Sequence, residues 1–307
     1  MSIQIHKQGL SDSIQDSGRY GYQHMGIQVN GCIDYLSARL ANTLLQNDIE
    51  NPVFEIHFPA SSFTFLSAQI ICITGANFVP VLNEQSIPLF TPIQMNAGDC
   101  LQFLQPLDGR TAYMAVKGVI NCEEWLDSYS FTNRRLQKNE EFSIMKESAD
   151  SSSLLNNTKT AFLENLTHKV QAHLQNHLPI RIIPGPAWNT LEANSIQQLL
   201  HGHFEISSQA NRMGFPLKGP VLFQQKSEEP LSSAVTRGTL QLLPSGELIV
   251  LMADHQTIGG YANLGQIILV DLPRLAQLKK ESPFTFSLVN VEEAHQIYLK
   301  INEWFKH

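Results

Sequence analysis

The chain has 307 residues, 43% hydrophobic and 16% charged, enough apolar content to bury a sizeable core and a length that suggests about two domains. That balance excludes a disordered chain or a fibrous repeat. A formal charge of −7, with 8 basic against 14 acidic side chains in residues 1–144 and 13 against 14 in 145–307, argues against a nucleic-acid surface, which needs clustered Lys and Arg.

The first helix is predicted over Asp34 to Gln46, where Asp34 can cap the N-terminus. Leu36, Leu40 and Leu44, with Ala41 and Leu45, form one apolar stripe, and Asn47 is the stop. Short apolar runs bounded by Gly, Pro, Asn or Asp predict strands at 53–58, 69–74, 100–104 and 111–116, with Ala97-Gly98-Asp99 as a turn. From Glu147 to Asn157 the chain becomes polar and Ser-rich. Thr158 to His177 then predicts a polar helix carrying Phe162, Leu163, Leu166 and Val170. Arg181-Ile182-Ile183-Pro184 opens a second unit with a helix at 188–200 and a strand at 203–207. Strands at 239–243 and 247–252 form a hairpin around Pro244-Ser245-Gly246. A strand at 266–270, a short helix after Asp271-Leu272-Pro273, a strand at 283–289 and a helix at 292–305 complete the chain. So many short strands without a helix between each pair predict a mainly β protein of antiparallel sheets, closed as a barrel or sandwich. The predicted domains are 1–146 and 178–307, both rich in strands, joined by a polar connection with a helix at 147–177.

Three stretches crowd polar residues and glycines beside strands. The first runs from Gln15-Asp16-Ser17-Gly18-Arg19 through Gly21, Gly26, Asn30 and Gly31 to Asp34. It reads either as a looped backbone presenting Asp16 and Arg19 to a small polar ligand or as an Asp16–Arg19 ion pair with Asp34 a helix cap. The second, Asn211-Arg212-Met213-Gly214, offers a guanidinium fork suited to a carboxylate or phosphate, or else a surface Arg in a turn. The third, Asp254-His255-Gln256-Thr257-Ile258-Gly259-Gly260-Tyr261, leaves a buried strand with more polar groups than a turn needs. There Asp254 suits a general base or orienter, Gln256 and Thr257 suit hydrogen bonds to an amide or carbonyl, and Gly259 and Gly260 offer backbone N–H groups.

Other chemistries lack their motifs. There is no P-loop, no G-x-G-x-x-G after a strand, no G-x-S-x-G and no H-E-x-x-H. Cys32, Cys72, Cys100 and Cys122 form no C-x-x-C pair and read as reduced thiols, and neither His173 with His177 nor His201 with His203 has enough neighbours for a metal set. The N-terminus has no signal-peptide pattern and no apolar run is long enough for a membrane helix, so the expected location is the cytoplasm. No Met-Lys-Met tripeptide marks a biotinylated carrier.

Taken in order, Gln15-Asp16-x-Gly18-Arg19-x-Gly21-Tyr22, Gly26-x-x-x-Asn30-Gly31-x-x-Asp34, Ala41-Asn42, Gly75-Ala76 and Ala97-Gly98-Asp99-x-Leu101 lead to Asn211-Arg212-Met213-Gly214 and Asp254-x-Gln256-Thr257-x-Gly259-Gly260-Tyr261. Together they resemble the KipA family, also described as biotin-dependent carboxyltransferase-like or allophanate hydrolase subunit 2, which includes the C subunit of the 5-oxoprolinase. The resemblance spans nearly the whole chain. It implies a cyclophilin-like β-barrel architecture with a few peripheral helices. The implied partners are a KipI-like B subunit, and with it a lactam-opening A subunit, in a complex that hydrolyses ATP. The implied reaction is the opening of 5-oxo-L-proline to L-glutamate by a hydrolase component active only with its partners. Two other members of the family's repertoire are a KipI-binding regulatory protein, antagonist of a sensor-kinase inhibitor, and a carboxyltransferase component acting on urea or another amide. By resemblance, Arg212 and Arg19 hold a carboxylate or phosphate, Asp254 is base or orienter, and Gln256, Thr257 and Tyr261 line the pocket; Asp16, Asp34, Asn211, Gly259 and Gly260 belong to the same motifs. No metal and no covalently attached biotin are implied for this chain. The sequence departs from the family pattern at Asn133 and Asn139, which replace two glycines, and Asn is the residue that best keeps a positive φ.

Overall fold

The computed structural model describes residues 2–146, 157–225, 231–279 and 281–306, with the side chains of 157–159 excepted. Most of the Ser-rich stretch expected as a connection, 147–156, lies outside the described residues. The protein is mainly β with peripheral helices, as expected, and divides into two compact units: Met1–Arg19 with Asp34–Leu174, and Tyr20–Ile33 with Gln175–His307. The segment 20–33 therefore packs with the second unit although unit 1 residues flank it on both sides in sequence.

Unit 1 contains a seven-stranded sheet in the order Val119–Asn121, Glu141–Met145, Ser2–Lys7, Ser62–Phe65, Cys100–Phe103, Pro80–Leu82 and Gln85–Ser86. A five-stranded sheet runs in the order Ser13–Gln15, Val53–His57, Asp108–Val116, Gln69–Asn77 and Ile93–Met95. Every pairing in both is antiparallel. The buried core includes Ile3, Ile5, Phe54, Phe63 and Phe142, with the Phe54 ring meeting those of Phe63 and Phe142 edge-on at 5.3 and 5.5 Å.

The helix Tyr35–Leu44 buries Leu36, Leu40, Ala41 and Leu44, the stripe read from the sequence. Asp34 caps it by accepting from Ser37 N, and Thr74 Oγ1 donates to Ser37 O at 2.7 Å, tying the helix to a sheet strand. The helix Asn157–Leu174 buries Leu166 and Val170. Asn133 (φ 61°) and Asn139 (φ 67°) occupy the left-handed region, the conformation in which Asn best substitutes for glycine.

Unit 2 is built on one seven-stranded sheet in the order Glu205–Ile206, Gly214–Lys218, Leu248–Leu251, Thr239–Leu242, Ala262–Ile267, Ile180–Pro184 and Phe286–Leu288. The predicted hairpin is present, closed by Gly246 N donating to Leu243 O with Gly246 at φ 84°. Two sequence readings are corrected in detail. The run 266–270 is not one strand: the strand Ala262–Ile267 ends and Leu269–Asp271 turns as a 3-10 helix, which brings Asp271 between Arg181 (2.7 Å) and Arg274 (3.1 Å). Burial by itself would raise the Asp271 pKa, but the Arg181 hydrogen bonds and the Arg274 charge outweigh it and hold it low. The expected helix 188–200 is interrupted because Leu191 adopts extended backbone and bridges to Gln224, leaving a 3-10 turn Trp188–Thr190 and a helix Ala193–His201.

In unit 1 Asp12 is buried and accepts from His57 N and Ser61 N at 2.7 and 2.6 Å. Burial, opposed by these bonds, still pushes its pKa up to about 6 from 3.8. The folded state then holds the proton more tightly than the unfolded chain, so the stability it contributes is complete below about pH 4 and lost as pH rises through about 6. Urea denaturation of the wild type and Asp12→Asn at several pH values should show the wild type losing up to about 3 kcal/mol relative to the variant across that window; a constant difference would contradict this assignment.

Candidate functional site

The third motif follows the strand Leu248–Leu251, which pairs with Gly214–Lys218 with Leu251 opposite Gly214. The pairing continues past both strand ends, because Met252 N donates to Met213 O (3.0 Å) and Asp254 N to Arg212 O (2.8 Å). That extended register sets Arg212 beside Asp254. Their side chains form a two-pronged pair, with Arg212 Nε 2.9 Å from Oδ2 and Nη2 2.8 Å from Oδ1. Arg212 Nη2 also donates to Gly31 O at 2.8 Å, and Gln28 Nε2 donates to Asp254 O at 2.8 Å. Asn30 (φ 59°) and Gly31 (φ 88°) both lie in the left-handed region in the turn that supplies the Gly31 carbonyl. Arg237, which the sequence reading did not single out, donates to Ile33 O in the same segment.

Next to the pair, His255 is 1% exposed and its Nδ1 lies 2.6 Å from Gln256 O. A carbonyl oxygen only accepts, so Nδ1 carries the proton and Nε2 is the basic nitrogen. Burial lowers the His255 pKa, with the Gln256 contact opposing, and keeps the ring neutral at pH 7. Gln256 and Thr257 are half-buried, and Thr257 O accepts from Val235 N at 3.1 Å. Ile258–Gly259 pairs with Ser233–Ala234 in a two-residue ribbon. Gly259 is buried, Gly260 exposed, and Tyr261 45% exposed. Asn211 is exposed, its Oδ1 accepting from Met213 N within the turn.

The first motif has a different character. In unit 1 the Asp16 carboxylate accepts from Gly18 N (2.8 Å), Ser128 Oγ (2.9 Å), Tyr129 N (2.7 Å) and Ser130 Oγ (2.6 Å). Arg19, 1% exposed, donates to Trp125 O and Ser130 O, both at 2.9 Å, with its guanidinium carbon 4.5 Å from the centre of the Trp125 ring. Asp16 and Arg19 thus pin the same stretch, 125–130, by separate bonds. Asp34 is buried as a helix cap, and its N–H donates to the Tyr113 hydroxyl, which donates to Glu55. Arg19 and Arg212 belong to different units and each is engaged within the protein, so neither fits as an open phosphate cradle. The stretch 125–130, Arg237 and Gln28 carry no motif signal, because their roles depend on residues far away in sequence.

Among the described residues no three His, Cys, Asp or Glu side chains gather as a metal set, and no helix is long and apolar enough to cross a membrane. Burial pushes the Cys122 thiol up to about 12 and Cys72 higher still, so neither is a thiolate at neutral pH.

Residues 25–288 match the carboxyltransferase domain, subdomains A and B, and the chain belongs to that KipA-like family. It is similar to the 5-oxoprolinase C subunit of Escherichia coli, 30% identical over 95% of this chain and 93% of that protein. It is also similar to urea amidolyase of Saccharomyces cerevisiae, 24% identical over 96% of this chain. The crystal structure of the K. lactis urea amidolyase superposes over 99% of this chain with a TM-score of 0.84 at 20% identity. The chain spans only 17% and 20% of those two urea amidolyases.

Arg212→Ala should cost about 3 kcal/mol in urea denaturation, since it strands the buried Asp254 carboxylate, and Asp254→Ala should cost less, since the guanidinium it leaves is partly exposed and keeps the Gly31 carbonyl. The double variant should cost little more than Arg212→Ala alone.

Proposed function

We propose that this chain is the C subunit of an ATP-dependent 5-oxoprolinase, opening 5-oxo-L-proline to L-glutamate together with two partners, a KipI-like B subunit plus a lactam-opening A subunit. The observation that carries the reading is the Arg212–Asp254 pair, which joins the second motif to an intact third one. The similarity to a 5-oxoprolinase C subunit over nearly the full length of both chains supports it.

An amide resists attack because of resonance, so the site must polarise the carbonyl and supply a base. Both oxygens of Asp254 are occupied by Arg212, which suits it to orient the 254–261 loop rather than take a proton. The neutral His255, with its basic Nε2, is the stronger base candidate of the two neighbours. Gln256, Thr257 and Tyr261 then line the substrate side, and the main-chain N–H of Gly260 is a carbonyl donor. ATP is consumed by the complex, and the two motif arginines, Arg19 and Arg212, are engaged within the protein, so the nucleotide is assigned to a partner. A second reading, a carboxyltransferase component acting on urea with biotin delivered by another polypeptide, draws on the similarity to urea amidolyase.

Mixing the chain with its B and A partners and ATP should release L-glutamate from 5-oxo-L-proline. His255→Gln, confirmed folded by circular dichroism, should lower kcat by about 100-fold or more. A tight complex that releases no glutamate would overturn the enzymatic reading in favour of a KipI-binding regulator.

A further inference from the structure

Gln241 lies in the strand Thr239–Leu242, every residue of which is buried. Leu240 and Leu242 belong to the apolar core of unit 2. Gln241 faces the other side of the sheet, where its cross-strand partner is Asn263. It is 1% exposed, and neither Oε1 nor Nε2 has a hydrogen-bond partner; the buried Oδ1 of Asn263 has none either. Unpaired polar atoms on this buried patch of the sheet destabilise the fold, and an apolar side chain of the same size in place of Gln241 would not; Asn263 Oδ1 lies on the Gly185 side, where a Cβ would come within 2.8 Å of it. Above the patch lies Gly259 of the third motif, where a Cβ would come within 2.5 Å of Gln241 Nε2 and 3.0 Å of Val235 Cγ1. Glycine is therefore needed for the ribbon Ser233–Ala234/Ile258–Gly259 to rest on the carboxamide.

We infer that Gln241, with Asn263, is a recognition subsite for a cis amide, the class that contains lactams and urea. The inference rests on the amide chemistry proposed above and specifies which edge of the substrate is read. A primary carboxamide presents an N–H and a C=O side by side, and its complement is a second edge of the same kind. A lactam ring holds its N–H and C=O on one edge, whereas an open-chain secondary amide is trans and presents them on opposite sides. Gln241 Oε1 accepts the substrate N–H and Nε2 donates to its carbonyl, polarising it; Asn263 Oδ1 accepts a second N–H where the ligand has one. Entry requires the ribbon to lift; it is held by two paired residues in each strand and by the Val235 N–Thr257 O bond beyond them.

The test is calorimetric titration of the full chain with pyrrolidin-2-one and with N-methylpyrrolidin-2-one, which lacks the N–H. Wild type should bind the first, and bind the second at least about tenfold more weakly. Gln241→Leu should bind pyrrolidin-2-one at least about tenfold more weakly while its Tm stays equal or rises. Equal affinity for the two probes, no binding to wild type, or a Tm several degrees lower in Gln241→Leu would overturn the subsite. Undiminished glutamate release by the Gln241→Leu complex would overturn it while leaving the 5-oxoprolinase reading intact. Gln241-dependent binding of pyrrolidin-2-one in a chain whose complex releases no glutamate would do the reverse.

Discussion

The pairing of Arg212 with Asp254 is the contact on which the organisation of the second unit's motifs depends. One planar guanidinium closes on both carboxylate oxygens and also holds the carbonyl of Gly31. The segment 20–33 has one short 3-10 turn, Gln23–Met25, as its only regular element, so no strand ladder holds it. Its place in unit 2 comes from Arg212 on Gly31, Arg237 on Ile33 and Gln28 on Asp254, and from Ile33 in the apolar core. Arg212 is thus both a partner of the motif's acid and a fastening for chain that arrives from far away in sequence.

Unit 1 uses the same residue types for another purpose. Asp16 and Arg19 are both buried, yet each is saturated by serines, backbone N–H groups and carbonyls of the stretch 125–130. A buried charge satisfied this way holds two distant loops together. Asp34 likewise caps a helix whose apolar stripe packs on the sheet. The chemistry of the family motifs is therefore unevenly spread: the first motif builds the scaffold of its unit, and the third gathers a buried imidazole, two glycines and half-buried polar side chains at the end of a strand.

Much of the fold was legible from local pattern. Capping by Asp34, the Leu36–Leu40–Leu44 stripe and the turn at Gly246 depend on neighbours a few residues apart, and all three are present. Asn133 and Asn139 were legible for the same reason, since positive φ is a property of a single residue. The run 266–270 reads as a strand because four consecutive apolar residues after Gln266 fit a strand or a turn alike, and only the approach of Arg181 to Asp271 separates the two. Gln241 was invisible for a related reason. Alternation in 239–242 implies that Thr239 and Gln241 face solvent, and the ribbon that covers them comes from residues 233–234 and 258–259.

The sequence by itself determined the class of the chain: mainly β, helices at the periphery, and ordered motifs that mark a family. Those features are local, encoded in periodicity, caps and glycines, or are carried by residue identity along the chain. Only the tertiary structure decided which charges are scaffold and which belong to a site. Burial and hydrogen-bond saturation depend on groups up to 226 residues apart, as between Gln28 and Asp254, and no local pattern records where such groups will meet.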